Sequence, residues 1–214
     1  MGKKKSGFGA NQEEIWRQLV AEINQRATGM RAEFIDGGTW KGDLVRAQVG
    51  EWTVTLDTFT TMVMAGEVLM PVSYTRLRAP YVNPDGFRFK IYRASFFSGF
   101  GKMLGMQDIE TGQPVFDQEF VIQGTDEKQV RRLFSNPEIV ALVAGQPEFG
   151  TLEVKDDEGW FGAKFPEGVD ELNFMARGVI ADGGQLRQLF DLFAAILNRL
   201  CAIGAAYADD PQMT

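Results

Sequence analysis

The residues that could do chemistry in this chain are concentrated between positions 76 and 119. Two carboxylate pairs, Asp108 with Glu110 and Asp117 with Glu119, flank a Gly-Gln-Pro turn. Side chains two residues apart share one face of a strand, and paired carboxylates can bind Mg²⁺ or divide acid and base roles. These four acids are the candidates for a carboxylate-dependent metal enzyme, and solvated acids beside a turn would give the same pattern.

Basic and aromatic residues are interleaved over residues 76–93, where Asp85 is the only acid. On paired strands they could form a platform for an anionic ligand or an acidic segment. The alternative is a solvated sheet face that balances an acidic protein. The members of this predicted basic–aromatic face are Arg76, Arg78, Tyr81, Arg88, Lys90, Tyr92 and Arg93.

An apolar, glycine-punctuated loop follows at residues 95–106, with Lys102 as its only charge. Its G-x-G-x-x-x-G spacing lacks the Gly-Lys-Ser/Thr ending of a phosphate-binding loop, so nucleotide binding is not favoured. If it is exposed, such a loop marks a protein or membrane interface, and if it folds inward it is core. Its candidate anchors are Phe96, Phe97, Phe100 and Met103.

Composition excludes several classes of function. The chain has no histidine and one cysteine, Cys201, so Ser-His-Asp and Cys-His triads and the usual zinc sites are ruled out. The net charge of −7 disfavours nucleic-acid binding. No apolar run is long enough for a membrane helix, and the basic N-terminus has no apolar segment typical of a secretory signal. We therefore expect a cytoplasmic protein without a cofactor.

The elements that must position these residues are strands between two amphipathic helices. Apolar residues at spacings of three and four predict helices at 11–28 and 184–206. Shorter helices are predicted after Thr125, taken as an N-cap, and after Asn136-Pro137. The predicted strands are 31–35, 44–49, 52–60, 72–78, 87–93, 115–123, 150–155, 160–165 and 171–177, with a hairpin about Gly66.

Two positions in this plan need special geometry. Pro80 is expected to interrupt the extended segment that begins at Val72. Strict alternation fails over Val115–Gln123, and a bulge near Asp117 would restore it. Strands joined by short turns predict an α+β fold, with a mainly antiparallel sheet and the N- and C-terminal helices packed on it. We expect a tail at 1–10, one domain at 11–207, alternatively with two lobes meeting near residue 110, and a tail at 208–214.

The segment FDQEFVIQGTDEKQVRRLFSNPEI, at Phe116–Ile139, resembles uncharacterised bacterial domain families. The shared pattern is Phe-Asp, an aromatic strand, Gly-x-Asp, and a helix that ends in Leu-Phe-Ser. The resemblance extends loosely over GKMLGMQDIETGQPVFD and KDDEGWFG. It implies a bacterial cytoplasmic origin and no particular activity.

Together these patterns favour a non-enzymatic binding or assembly protein. Its predicted working surfaces are the apolar loop at 95–106 and the basic–aromatic face, because aromatic and arginine residues dominate interface energetics. The expected partner is another protein or a second copy of this chain, and nucleic acid is not expected. A carboxylate-dependent metal enzyme and a peripheral protein of anionic membranes remain the alternatives.

Overall fold

The computed structural model describes residues 7–26, 28–38, 42–96, 107–147, 149–156, 165–209 and 211. Its centre is a nine-stranded sheet in the order β1-β2-β3-β4-β9-β8-β5-β7-β6, and every neighbouring pair of strands is antiparallel. The strands are β1 (Arg31–Ile35), β2 (Leu44–Val49), β3 (Trp52–Ala65), β4 (Val68–Val82), β5 (Phe89–Arg93), β6 (Gln107–Asp108), β7 (Phe120–Gly124), β8 (Thr151–Lys155) and β9 (Val169–Arg177).

Five α-helices accompany the sheet among the described residues. Three of them begin at side-chain caps: Asp126, Asn136 and Asp182 accept hydrogen bonds from the N–H groups of Gln129, Glu138 and Gln185. These caps satisfy amides that a helix start leaves free. The helices are α1 (Gly7–Gln25), α2 (Pro114–Glu119), α3 (Glu127–Phe134), α4 (Pro137–Ala144) and α5 (Gly183–Ala202).

One row of apolar residues crosses seven strands and defines the apolar face of the sheet. Each member is the register partner of the next, and each is buried. The core cluster on this face also takes in the apolar stripes of α1, α3, α4 and α5. The row consists of Val45, Leu56, Leu77, Phe174, Leu152, Ile91 and Ile122.

A second row, one residue along each strand, defines the opposite, polar face. Side chains alternate between the two faces along a strand. The register that points the apolar row into the core therefore points the side chains of the second row away from it. It crosses all nine strands and contains no large apolar side chain. Its members are Glu33, Arg46, Thr55, Arg78, Asn173, Glu153, Lys90, Gln123 and Asp108.

The predicted α+β class, the antiparallel sheet and the two long helices are confirmed, and so is the hairpin at Gly66. The prediction of one strand with a bulge over Val115–Gln123 is wrong. Pro114 begins the short helix α2, and only the last part of the segment joins the sheet. The rings of Phe116 and Phe120 then lie in contact, tilted at a centroid distance of 4.9 Å, because residues four apart meet on one side of a helical turn.

Pro80 does not interrupt its strand, because β4 runs on to Val82. Pairing of β4 with β3 ends at Arg78, so the proline nitrogen faces an edge where no hydrogen bond is needed. The N-cap of α3 is Asp126 rather than Thr125. Thr125 instead accepts a hydrogen bond from the N–H of Arg88. The strand predicted at 160–165 lies almost wholly outside the described residues.

None of the helices in the described part of the chain has both the length and the apolarity needed to cross a membrane.

Gly150 permits the close approach of β8 to β9. A β-carbon at this position would overlap the carbonyl of Met175. The three atoms nearest to it are all backbone atoms of Met175 and Ala176, so no flexible side chain could move aside. We expect Gly150→Ala to lower the free energy of unfolding by about 1–3 kcal/mol in urea titrations. Gly183→Ala is the control, since its added methyl meets nothing within 4 Å. Equal stability of the two variants would contradict this close approach.

Candidate interaction surface

The strands that carry the predicted basic–aromatic face are not neighbours. Arg76 and Arg78 lie on β4, and Lys90 and Tyr92 lie on β5, with β9 and β8 between the two strands. All four side chains do share the polar face by register. β4 and β5 are therefore not paired strands on which a platform for an anionic ligand could form, although these four side chains share one face of the sheet.

Tyr81 belongs to the other side of the sheet. It is 0% exposed and lies in the core cluster on the apolar face. Burial raises its pKa far above the usual tyrosine range, and the nearby charge of Asp170 adds to this effect. A side chain so enclosed cannot contact a ligand on the polar face, so the structure places Tyr81 in the core.

The arginines of β4 are held by one acid on the neighbouring strand. Asp57 of β3 accepts hydrogen bonds from Arg76 Nε at 2.9 Å and Arg76 Nη2 at 2.8 Å, and from Arg78 Nη2 at 3.0 Å. A two-pronged arginine–carboxylate pair is among the stronger polar contacts in proteins. Both cations therefore have a carboxylate partner within the sheet.

The cations of β5 are paired in the same way and are little exposed. Lys90 is 9% exposed, and its Nζ lies 3.1 Å from Glu153 on β8. Tyr92 is also buried, and burial raises its pKa, with a smaller contribution from Asp108. Arg93 lies two residues after Ile91 and opposite Phe120, so it belongs to the other side of the sheet. There it contacts Glu119 and donates to the carbonyl of Gln146. We infer that Lys90 and Tyr92 belong to a structural network rather than to an open anion platform.

Arg88 precedes β5 and forms ion pairs with one acid directly after β8 and another near the start of β9. Its Nη1 lies 2.9 Å from Asp156, and its Nε lies 3.3 Å from the buried carboxylate of Asp170. Asp170 also accepts a hydrogen bond from Asn83. Arg88 thus supplies the positive charge that a buried acid requires, which is a structural role.

Most of the predicted apolar loop lies outside the described residues. The structure describes residues 95 and 96, where the backbone from Ala94 to Phe96 forms a 3₁₀ turn. Residues 97–106, which include the candidates Phe97, Phe100 and Met103, fall outside it. The role of this loop stays a prediction.

Three of the four candidate metal ligands have separate partners. Asp117 accepts hydrogen bonds from the amides of Thr111, Gly112 and Gln113 and from the Thr111 hydroxyl. Asp108 accepts one from Gln123, Glu119 faces Arg93, and Glu110 is exposed. Among the described residues no group of three or more His, Cys, Asp or Glu side chains could hold a metal ion.

A different feature stands out: β3 and β4 extend well beyond their neighbours as a hairpin. Pairing with β2 ends at Asp57 and pairing with β9 ends at Tyr74, so residues 60–72, here called the arm, project from the sheet. Every residue from 60 to 71 is exposed. Six large apolar side chains of the arm are 40% to 61% exposed: Met62, Val63, Met64, Val68, Leu69 and Met70.

Both faces of the arm are apolar, and its base is aromatic. Met62 and Met64 face one side and Val63 the other, opposite Met70. At the base, Phe59 and Tyr74 stack at 5.3 Å, and the guanidinium of Arg76 lies 5.0 Å from the Phe59 ring. The predicted residue Arg76 therefore belongs to the border of this apolar surface. We did not predict this surface, although the run MVMAGEVLM, with one charge in nine residues, was its signal.

A groove of about 790 Å³ is lined by the segment that follows α1, the β2–β3 turn, α4 and α5. Arg26 donates twice to Asp191 in its lining, and Arg199 donates to the Arg132 carbonyl. Glu138 also lines the groove. Two acids and two arginines together favour no ligand of one charge.

Comparisons with known proteins give a distant structural similarity and no family. No protein-family model matches the chain, and a search of curated proteins gives no match. These results agree with the resemblance to uncharacterised families. Among solved structures, the chain is similar to the mycobacterial trehalose monomycolate transport factor A, TtfA, at 11% identity and a TM-score of 0.49, covering 92% of this chain and 96% of that chain. No functional conclusion follows at this distance.

Asp57 is expected to matter for stability because it holds two arginines at once. Asp57→Ala should lower the free energy of unfolding by about 1–3 kcal/mol in urea titrations, since both guanidinium groups lose a charged partner. Glu33→Ala is the matched control on the same sheet. Its 3.6 Å pair with Arg46 is exposed, so its removal should change stability by less than about 1 kcal/mol. Equal losses of unfolding free energy in the two variants would show that the contacts of Asp57 with Arg76 and Arg78 do not stabilise the fold.

Asp117 should likewise be a structural residue rather than a metal ligand. Asp117→Ala should cost about 1–2 kcal/mol of stability, because the amides of the 111–113 turn lose their acceptor. Adding Mg²⁺, Mn²⁺ or Ca²⁺ should leave the melting temperature of the wild-type protein unchanged. A metal-induced rise that disappears in Asp117→Asn would contradict this role, since specific binding stabilises the folded state.

Proposed function

We propose that this protein is a non-enzymatic binding or assembly protein and that its contact surface is the arm. The supporting observation is the exposure of six large apolar side chains on a hairpin that projects from the sheet. The largest apolar patch on a typical monomer covers about 300–600 Å², and patches of that size often mark a binding site. A partner would remove this apolar surface from water.

The base of the arm supplies the residue types that anchor interfaces. Arginine and aromatic side chains contribute most strongly to binding when water is excluded around them. Phe59, Tyr74 and Arg76 form one such group, with Arg76 already oriented by Asp57. Because the guanidinium is held in place before contact, less side-chain entropy is lost on binding.

The other two candidate functions have weaker support. A carboxylate-dependent metal enzyme would need Asp117 free to bind an ion, and its carboxylate already accepts from the turn at 111–113. An anionic membrane would attract basic residues, but Glu67 is the only charged residue of the arm and the chain carries a net −7. The loop at 95–106 stays a candidate for a second contact surface.

Charge placed on both faces of the arm should abolish binding without unfolding the protein. Met64→Glu combined with Met70→Glu puts one carboxylate on each face. We expect an unchanged melting temperature, because both residues are exposed, and at least a tenfold loss of association in sedimentation and in partner capture from cells of the source organism.

The matched control is Val115→Glu, which removes an exposed apolar side chain on α2, 74% exposed. It should bind like the wild type. The proposal fails if the double variant associates as strongly as the wild type, or if Val115→Glu causes the same loss.

A further inference from the structure

The two long edges of the arm differ in what they offer to another strand. On β4, the carbonyl of Ser73 accepts a hydrogen bond from the N–H of Gly178, so the backbone groups of Ser73 point away from β3. The backbone N–H and C=O groups of successive residues point alternately to the two edges of a strand. The backbone groups of Pro71 and Leu69 therefore point to the same outer edge as those of Ser73. Because proline has no N–H to donate, the β4 edge is poorly suited to strand pairing.

The β3 edge has no such block. Thr60, Met62 and Met64 lie opposite those three β4 residues. In pairs of this kind the backbone groups of both residues point away from each other, so all three present an N–H and a C=O to the outer edge of β3. No described residue bonds to these groups, since β2 reaches only to Asp57. An exposed edge of this kind is a template for another strand.

We propose that a second copy of this chain occupies this edge, with the two β3 strands paired antiparallel around a two-fold axis near Val63. The assignment rests on the function proposed above, because it names the partner of the same arm. In this register Met62 of each copy lies opposite Met64 of the other, and their outward N–H and C=O groups bond to each other. A two-fold contact uses the same patch on both chains, so one self-complementary edge is sufficient.

Side-chain chemistry favours a copy over an unrelated strand. The arm is apolar on both faces, so a strand that extends it must also be apolar on both faces to avoid polar side chains against methionine and valine. β3 itself is such a strand between Met62 and Ala65. The only charge of the arm, Glu67, lies in the turn beyond Ala65. Antiparallel pairing about Val63 places the two turns at opposite ends of the paired segment, so the two like charges do not meet.

A lipid bilayer suits the arm less well. The free N–H and C=O groups of a two-stranded ribbon would have no partners in hydrocarbon, at several kcal/mol each. In a dimer, those of the β3 edge are satisfied by the same groups of the other copy.

The size of the surface predicts a weak dimer. The exposed apolar side chains of the arm amount to roughly 600 Å² per chain, so complete burial in two copies would remove only about 1,200 Å², the lower end of specific interfaces. Pairing along one edge would bury less than this. We therefore expect reversible dimers with a dissociation constant on the order of micromolar.

Sedimentation of the full chain between about 1 and 200 μM tests this directly. We expect the wild-type protein to change from monomer to dimer over this range. Met62→Pro removes an outward N–H of the β3 edge without breaking a bond between β3 and β4, and it should raise the dissociation constant at least tenfold. Leu69→Pro is the matched control: it is equally exposed, but its N–H lies on the β4 edge, so the dimer should remain.

Two results would overturn the assignment. A wild-type monomer throughout this range excludes a second copy as the occupant. If the wild-type protein is a monomer but captures a different protein, and the Met64→Glu, Met70→Glu variant does not, the proposed function stands and only this inference fails. Equal losses in Met62→Pro and Leu69→Pro would show that the faces of the arm, not the β3 edge, make the contact.

Disulfide trapping tests the axis and does not depend on a proline variant that might fold poorly. Near the axis, facing Val63 residues would lie about 4.5 Å apart between α-carbons, within reach of a disulfide. Val63→Cys should therefore form a covalent dimer on mild oxidation, whereas Val68→Cys at the tip on β4 should not. Cross-linking of Val68→Cys alone, or flotation of a monomeric wild-type protein with lipid vesicles, would overturn the proposal.

Discussion

The register of the sheet is the constraint on which the rest of this structure depends. Seven strands align one apolar residue each into a single buried row, from Val45 on β2 to Ile122 on β7. A slip of one residue in any strand would turn its apolar side chains to the polar face. The helices α1, α3, α4 and α5 pack on this row and share one core with it, so their positions follow from the same alignment.

The polar row is the consequence of that register on the other face. Because Ile91 must face the core, Lys90 faces away from it, directly opposite Glu153. The same alignment places Arg76 opposite Asp57. The charged residues that resemble a ligand platform in the sequence therefore form ion pairs with other residues of the sheet. The main effect of such little-exposed ion pairs is to avoid the free-energy penalty of an unpaired charge.

The arm begins where this constraint ends. Pairing with β2 ends at Asp57 and pairing with β9 ends at Tyr74. Beyond these residues β3 and β4 continue as a two-stranded hairpin whose side chains lie outside the core cluster. A two-stranded ribbon is only marginally stable on its own, yet this one carries methionine, valine and leucine on both faces. In the rest of the sheet such residues are buried, and the arm lacks that burial within the described part of the chain. This contrast is the physical reason for assigning contact to the arm.

Features that depend on near neighbours in the chain were determined by the sequence alone. The cap at Asn136-Pro137, the amphipathic stripe of α5 and the turn at Gly66 follow from local geometry, and the structure has all three. Over Val115–Gln123 two local signals competed: Pro114 and the four-residue spacing of Phe116 and Phe120 favoured the helix turn that forms, and the apolar pattern favoured a strand.

Tertiary structure alone decided which strands are neighbours. Inserting β9 and β8 between β4 and β5 separates Arg78 from Lys90 and gives each an acidic or polar register partner. The same strand order leaves the β3 edge open beyond Asp57. Strand pairing depends on burial summed over the whole sheet, with partners up to about a hundred residues apart in the chain, as Tyr74 and Arg177 are. No local spacing encodes such a sum, so the exposure of the arm could be read only from the folded chain.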